Sequence, residues 1–348
     1  MKHRLRQWQR RSMRSLLRRF VDRGIILLYH RVSEDDIDPW GMNVTPARFA
    51  EQMEALAASE VGALPLADAV RSLTSHRALD RFVSVTFDDG YADNLTVAKP
   101  IMEKLGIPAT VYVPTTYVDE RQELWWDKLQ RLVLEPSTFP PEIELRIAGT
   151  SHRWSLGDVA RYDDATAREH RHWRVWNSPP TERHRLYLAL HSLIRPLSYT
   201  EQHEVLDALA GLRRAETPPL VRHPLLSAEE IRAFAEPGRF EVGAHSKTHP
   251  VLSSLSHGDQ RLEIRGSRKR LEEIIEGPVT AFAYPYGSTD TYTIATKQIV
   301  RDARFESACA NRPGWVGMGI DTFELPRFQV KDWDAREFRR HLRRWFRG

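Results

Sequence analysis

Seven short β-rich or apolar runs place the tightest limit on how this chain can fold. They are 25–29 (IILLY), 82–87 (FVSVTF), 109–113 (ATVYV), 240–244 (FEVGA), 279–284 (VTAFAY), 305–310 (FESACA) and 323–328 (FELPRF). Helical periodicity fills most of the gaps, at 46–58, 93–105, 256–276 and 291–303. Strand and helix in alternation imply βαβ units and a parallel sheet. Seven such strands point to a closed or nearly closed α/β barrel rather than a small open sheet.

Residues 119–225 break that rhythm. They hold five of the ten Trp and seven of the fourteen His, with Pro-rich joints at Pro140-Pro141, Pro179-Pro180 and Pro218-Pro219. The expected organisation is a barrel built from 24–118 and 226–333, interrupted by a large, mainly helical lobe at 119–225.

Composition excludes several classes. Hydrophobic residues are 41% and charged residues 28%, as in an ordinary globular chain rather than a disordered or collagenous one. The single Cys309 rules out an internal disulfide and any C-x-x-C metal site. The net charge of +4 hides a division: residues 1–23 carry net +8, residues 334–348 net +4, and the body between them net −8.

In the first tail Leu5, Trp8, Met13, Leu16, Leu17 and Phe20 fall on one helical side and Arg4, Arg10, Arg11, Arg14 and Arg18 largely opposite. Such a helix suits an anionic membrane surface, and equally a helix packed on its own domain. Nucleic acid is not an expected partner, because the bases belong to no recognisable motif and the body is acidic. The tail lacks the apolar centre of a signal peptide. The expected location is cytoplasmic, or peripheral at the inner membrane face.

Four motifs carry chemistry, and each follows a predicted strand. In Thr86-Phe87-Asp88-Asp89-Gly90 two adjacent acids close a strand. A cation would relieve their repulsion and leave one acid free as a base, though the pair also suits a turn and helix cap. In His245-Ser246-Lys247-Thr248-His249 two His at i and i+4 share a face if the segment turns helically, and imidazoles suit Zn²⁺. Two His and one Asp leave room on a metal for water or substrate. In Ala283-Tyr284-Pro285-Tyr286-Gly287 the turn can aim a backbone N–H at an oxyanion. In Tyr29-His30-Arg31, His30 could protonate a leaving group. The C-terminal ends of parallel barrel strands converge on one face, so these four motifs would meet.

Together these motifs resemble the polysaccharide deacetylase family, also called the NodB homology domain or carbohydrate esterase family four. TFDDG is similar to its first motif, HSKTHP to its second, and Tyr284-Pro285-Tyr286-Gly287 incompletely to its third. The resemblance spans roughly 24–118 and 226–330. It implies a distorted (β/α)7 barrel with a divalent metal, usually zinc. It implies Asp89, His245 and His249 as ligands, Asp88 as base and His30 as acid.

The opening YHRV and the sequence Trp125-Trp126-Asp127 resemble the branch linked with exopolysaccharide or capsule synthesis. The expected activity is removal of acetyl groups from an N-acetylated or O-acetylated polysaccharide or glycan precursor. The Tyr286 backbone N–H would meet the oxyanion, and Trp125 and Trp126 could stack on sugar rings or equally anchor the inserted lobe's own core. The Arg that orients the base in the family's third motif is replaced by Ala283; Arg327 could supply a guanidinium instead, at the base or in substrate binding, or equally form an ordinary surface ion pair. Rival expectations are a metal-dependent amidohydrolase on a small cyclic amide, a glycan-binding pseudoenzyme, and a scaffold held at a membrane by the basic tails. Sequence leaves the oligomeric state open.

Overall fold

A computed structural model describes residues 24–35, 37–75, 80–120, 122–214, 221–235 and 238–347. The basic segment 1–23 lies outside the described residues.

Seven strands form one parallel path, in the order Ser307–Cys309, Ala281–Ala283, Phe240–Ala244, Ala109–Val113, Phe82–Phe87, Gly24–Tyr29 and Phe328–Gln329. A short strand, Gly62–Ala63, pairs beside Phe82–Phe87. The segment before the last strand joins the two edges of the path. Leu325 exchanges hydrogen bonds with Ala308 and Ala310 on one side, and the Val330 N–H donates to Leu28 on the other. The sheet is therefore the curled, nearly closed parallel barrel that the alternating sequence predicts.

Three of the runs shorten. The strands expected at 279–284 and 305–310 keep three residues each, and the run at 323–328 becomes a strand only at Phe328–Gln329. Pro326 has no N–H to give a ladder, so the chain changes partner there.

Burial on both sides sorts the strands by parity. Ile25, Leu27 and Tyr29, with Val83, Val85 and Phe87, pack outward on the helices in the main core. Ile26, Tyr112, Ala281, Ala283 and Cys309 face inward. Small inward residues leave room for long side chains to cross: the Tyr112 hydroxyl reaches Cys309 Sγ at 3.3 Å. Gly243 is required there, because a Cβ would lie 2.4 Å from the Tyr112 ring.

The helices obey local rules. Pro46 opens Pro46–Ala57 at its first position, Ser256 caps His257–Ile275, and Thr293 caps Ile294–Asp302 with a reciprocal bond from Thr296. The last helix, Ala335–Arg347, buries Phe338, Leu342 and Phe346 and exposes its arginines.

The lobe has its own core, built from Leu124, Trp125, Leu129, Leu186, Leu190 and Leu206 among others. Helices Trp125–Leu134, Asp164–His170, Glu182–Ile194 and Tyr199–Leu212 supply most of it. It also contains an antiparallel hairpin that the helical expectation omitted, Glu142–Ile147 with Thr150–Ser155. Its sequence, EIELRI, alternates exposed and buried residues, and Ala148 and Gly149 both turn with positive φ.

Candidate metal centre and pocket

The site stands where the strands end. Asp88 follows the strand Phe82–Phe87, His245 follows Phe240–Ala244, Tyr284 follows Ala281–Ala283, and His30 follows Gly24–Tyr29. Asp88, Asp89, His245 and His249 are all buried. Left-handed backbone is concentrated here: Asp89 (φ 72°), Ser246 (φ 62°), His249 (φ 56°) and Tyr286 (φ 61°) are non-glycine residues with positive φ. Each costs on the order of 1 kcal/mol or more, a strain that clusters at functional sites.

That strain separates the two acids. Asp88 keeps the inward parity of Ser84 and Thr86. Asp89, with its positive φ, aims elsewhere, and its Oδ1 lies 3.5 Å from His245 Nε2 and 3.5 Å from His249 Nε2. The two His do not share a helix face, as the i, i+4 spacing had suggested. The segment 245–250 is a loop, and the left-handed turns at Ser246 and His249 bring the imidazoles together, with ring centroids 4.7 Å apart.

The donor set fits a divalent ion. One carboxylate oxygen and two imidazole nitrogens lie within 4.8 Å of one another. A separation of 3.5 Å is long for a hydrogen bond. It matches the edge of roughly 3.4 Å that a tetrahedron with metal–ligand bonds of about 2.1 Å would have. The His245 Nδ1 lies 2.8 Å from the Ala283 carbonyl oxygen, a contact that fixes the tautomer and turns Nε2 toward Asp89.

Electrostatics agree with this geometry. Burial alone would raise the Asp89 carboxyl, but the imidazoles of His245, His249 and His30 overcome it and bring it down to about 2. Burial, and then the neighbouring His245, push His249 down to about 3, so it is a neutral donor at ordinary pH.

Asp88 does not join that cluster closely. Its Oδ2 is 4.0 Å from His245 Nε2. Instead Arg327 donates to both of its oxygens, each at 2.6 Å. Arg327 is 1% exposed, also donates to the Ala310 carbonyl and the Thr86 hydroxyl, and does not line the pocket. A direct role in substrate binding is therefore corrected: the side chain is sealed beneath Asp88. Burial raises the Asp88 carboxyl, but the Arg327 charge and hydrogen bonds, together with His245 and His30, more than offset that and hold it below the usual range. The guanidinium that Ala283 cannot provide reaches Asp88 from the other edge of the barrel.

A cavity of about 280 Å³ opens above these groups. Asp88, Asp89, His30, His245, His249 and Tyr286 line it. Burial pushes the His30 imidazole below its ordinary value. The two tryptophans divide. Trp126 lines the cavity, its ring 4.7 Å from His249. Trp125 is 0% exposed and donates to the Tyr286 hydroxyl at 3.2 Å, so stacking on a sugar is corrected for this residue. It belongs to the lobe core, where its area is worth most.

Several residues of the site escaped the sequence reading. Trp40, Met42, His191, Arg195, Ser288, Asn311 and Gln329 also line the cavity. Asn311 and Gln329 lie just past or at the ends of barrel strands, so the strand-end rule could have found them. His191 and Arg195 come from the lobe, and no motif marks them.

The lobe is fastened by buried charge. Arg31 bonds Asp127 at 3.2 Å and Asp38 at 3.3 Å, and Asp127 accepts from the Tyr91 hydroxyl at 2.8 Å. Trp126 Nε1 donates to the same hydroxyl at 3.2 Å. The Tyr-His-Arg, Asp-Asp-Gly-Tyr and Trp-Trp-Asp motifs thus meet in one network.

Comparison with known proteins points one way. The polysaccharide deacetylase family model matches residues 76–140 and 202–307. YxkH of Bacillus subtilis, which carries the name of a polysaccharide deacetylase, is 27% identical over 108 residues, 31% of this chain and 37% of that protein's length. The fold is similar to that of the Streptococcus pyogenes deacetylase PplD in complex with acetate, with TM-score 0.57 and 16% identity over 92% of this chain and 98% of that one. It is similar to IcaB from Ammonifex degensii, with TM-score 0.56 and 18% identity over 94% and 98%. It is also similar to a polysaccharide deacetylase from Bacillus cereus, with TM-score 0.55 and 17% identity over 92% and 69%.

Proposed function

The chain belongs to the polysaccharide deacetylase family, and on that premise we propose that it is a divalent-metal-dependent hydrolase of carbon–nitrogen bonds other than peptide bonds, releasing acetate from an N-acetylated polysaccharide or glycan precursor. O-acetyl groups are a second substrate class that the same chemistry could serve. The observation that carries the reading is the buried triad of Asp89, His245 and His249 beside a separately clamped Asp88. Zinc suits two imidazoles and a carboxylate.

Asp89 Oδ1 and the two Nε2 atoms would hold the ion, which when bound lowers the pKa of water and polarises the acetyl carbonyl. Asp88 receives the proton of the attacking water. The Arg327 clamp keeps it ionised and fixed in direction, and each carboxylate oxygen still has a free lone pair to accept that proton. The Tyr286 backbone N–H would donate to the developing oxyanion. His30 delivers a proton to the departing amine. Trp126 offers the ring face on which a sugar stacks.

The deciding experiment is an acetate-release screen over acetylated glycans, with metal analysis and with Asp88→Asn as control. Release that depends on added metal and is lost in Asp88→Asn supports the proposal. Release of ammonia or ring-opened product from a small cyclic amide, without acetate, would replace it with the amidohydrolase reading.

Among the described residues no helix is long and apolar enough to cross a membrane. The basic amphipathic pattern of 1–23 supports peripheral contact with an anionic membrane. Co-sedimentation of the full chain with anionic vesicles, against a chain lacking 1–23, tests that contact.

A further inference from the structure

Among the described residues, Arg195 is the one cation of the lobe that lines the cavity above the triad. It caps the C-terminal end of the helix Glu182–Ile194. Its guanidinium carbon lies 4.6 Å from the centre of the Tyr286 ring, and that ring lies 4.7 Å from His249. Arg195 is thus one aromatic ring removed from the metal ligands.

The Arg195 backbone N–H donates to the His191 carbonyl, but among the described residues its guanidinium has no hydrogen-bond or ion-pair partner, and its Nε is buried without an acceptor. The acid whose charge couples to it, Asp290, is exposed and forms no ion pair with it. A guanidinium carries five donors in a planar fork; here the buried Nε–H is unmet, while the half-buried fork is left to solvent or to a ligand. The other charges of the cavity are already matched. Asp88 is neutralised by Arg327, and Asp89 belongs to the ion. Arg195 is therefore positive charge without an ion-pair partner on the cavity wall, on the far side of the Tyr286 ring from His249.

We propose that Arg195 forms an anion subsite, which binds a carboxylate or phosphate carried by the glycan next to the acetylated sugar. Planar oxyanions match the guanidinium fork, with two parallel hydrogen bonds. The substrate class is then an acidic glycan, or a glycan still joined to a phosphate carrier. A cationic, deacetylated sugar is repelled from the same wall. The location of the acetyl group rests on the deacetylase reading; the anion subsite does not.

The test uses the full-length, zinc-loaded chain with Asp88→Asn to hold substrate without turnover. Binding is measured by calorimetry for a neutral N-acetylglucosamine tetrasaccharide, a tetrasaccharide alternating N-acetylglucosamine with glucuronate, and an N-acetylglucosaminyl phosphate. An anionic probe should bind at least about tenfold more tightly than the neutral one, which corresponds to roughly 1.4 kcal/mol. Adding Arg195→Gln should remove that difference, and Arg195→Lys should keep part of it. The anionic probe that gains tells carboxylate from phosphate.

A difference that survives Arg195→Gln in a folded variant, checked by near-ultraviolet circular dichroism, overturns the subsite, as does equal binding of all three probes to the parent. Acetate release by the enzyme with Asp88 intact is read separately. Its absence with charge-dependent binding retained would overturn the deacetylase reading and leave the subsite standing.

Discussion

Arg327 grips both carboxylate oxygens of Asp88 at 2.6 Å, although 239 residues of chain separate them. The contact spans the seam of the barrel: Asp88 ends a central strand and Arg327 lies in the segment that joins the two edges. The carboxylate beside the triad is thereby ionised, oriented and kept apart from the ligand set.

Removing that guanidinium leaves a buried carboxylate without its partner. Arg327→Met should destabilise the protein by about 3 kcal/mol or more and cut kcat by about 100-fold or more. The Asp88 carboxyl should rise, since the charge holding it down is gone. The acid limb of the kcat/KM profile should move to higher pH. Thermal melts and a pH–rate series check both effects.

The two neighbouring acids should fail in different ways. Asp88→Asn should keep its zinc and lose turnover by about 100-fold or more. Asp89→Asn, His245→Ala and His249→Ala should lose zinc during dialysis against a weak chelator. Metal content by elemental analysis beside acetate release distinguishes them. Equal metal content and near-normal rates in both Asp variants would defeat the assigned roles.

The lobe should come loose when its buried anchor is cut. Asp127→Ala strips Arg31 of its bond across the barrel–lobe boundary and should cost about 3 kcal/mol. It should also raise proteolytic nicking between 119 and 225. Restoring an acid in Asp127→Glu should recover part of the melting temperature.

Trp125→Ala and Trp126→Ala should separate stability from binding. Trp125 is wholly enclosed, and its loss should cost about 3–5 kcal/mol. Trp126 lines the cavity, so its replacement should raise KM for glycans as well. Melting curves and KM values measured on both variants make the comparison.

Asp93 predicts an acid-side pH dependence of stability. Burial raises its carboxyl to about 6, against the partial relief of the Val32 N–H and Arg31. A raised acid binds more protons folded than unfolded, so stability falls as pH climbs from about 4 through 6. Asp93→Asn should therefore stabilise the protein above pH 6, by on the order of 1–2 kcal/mol given the group's partial exposure, and the gain should vanish near pH 4. Denaturant melts at pH 4 and pH 7.5 measure it.

Much of this was legible in the sequence. Short apolar runs with helices between them declare a parallel barrel, because only a sheet covered on its outer face by helices hides such strands. Asp88, Asp89, His245 and His249 stood out because parallel strands all finish at one rim. The lobe's hairpin was also written in the alternation of EIELRI, which the surrounding helices obscured.

Other features are decided by the tertiary structure. The His pair is gathered by left-handed loop residues, not by helix periodicity, and φ is not visible in residue type when Ser and His adopt it. Arg327 reaches Asp88 only because the sheet curls until its edges share one segment. Trp125 and Trp126 both belong to the lobe core, but only Trp126 also reaches the cavity wall, because one helix turns successive side chains in different directions. Local order is fixed by short-range sterics and hydrophobic period, which a chain carries in its sequence. Which charges meet, and which stay unmatched as Arg195 does, is fixed by how distant segments pack.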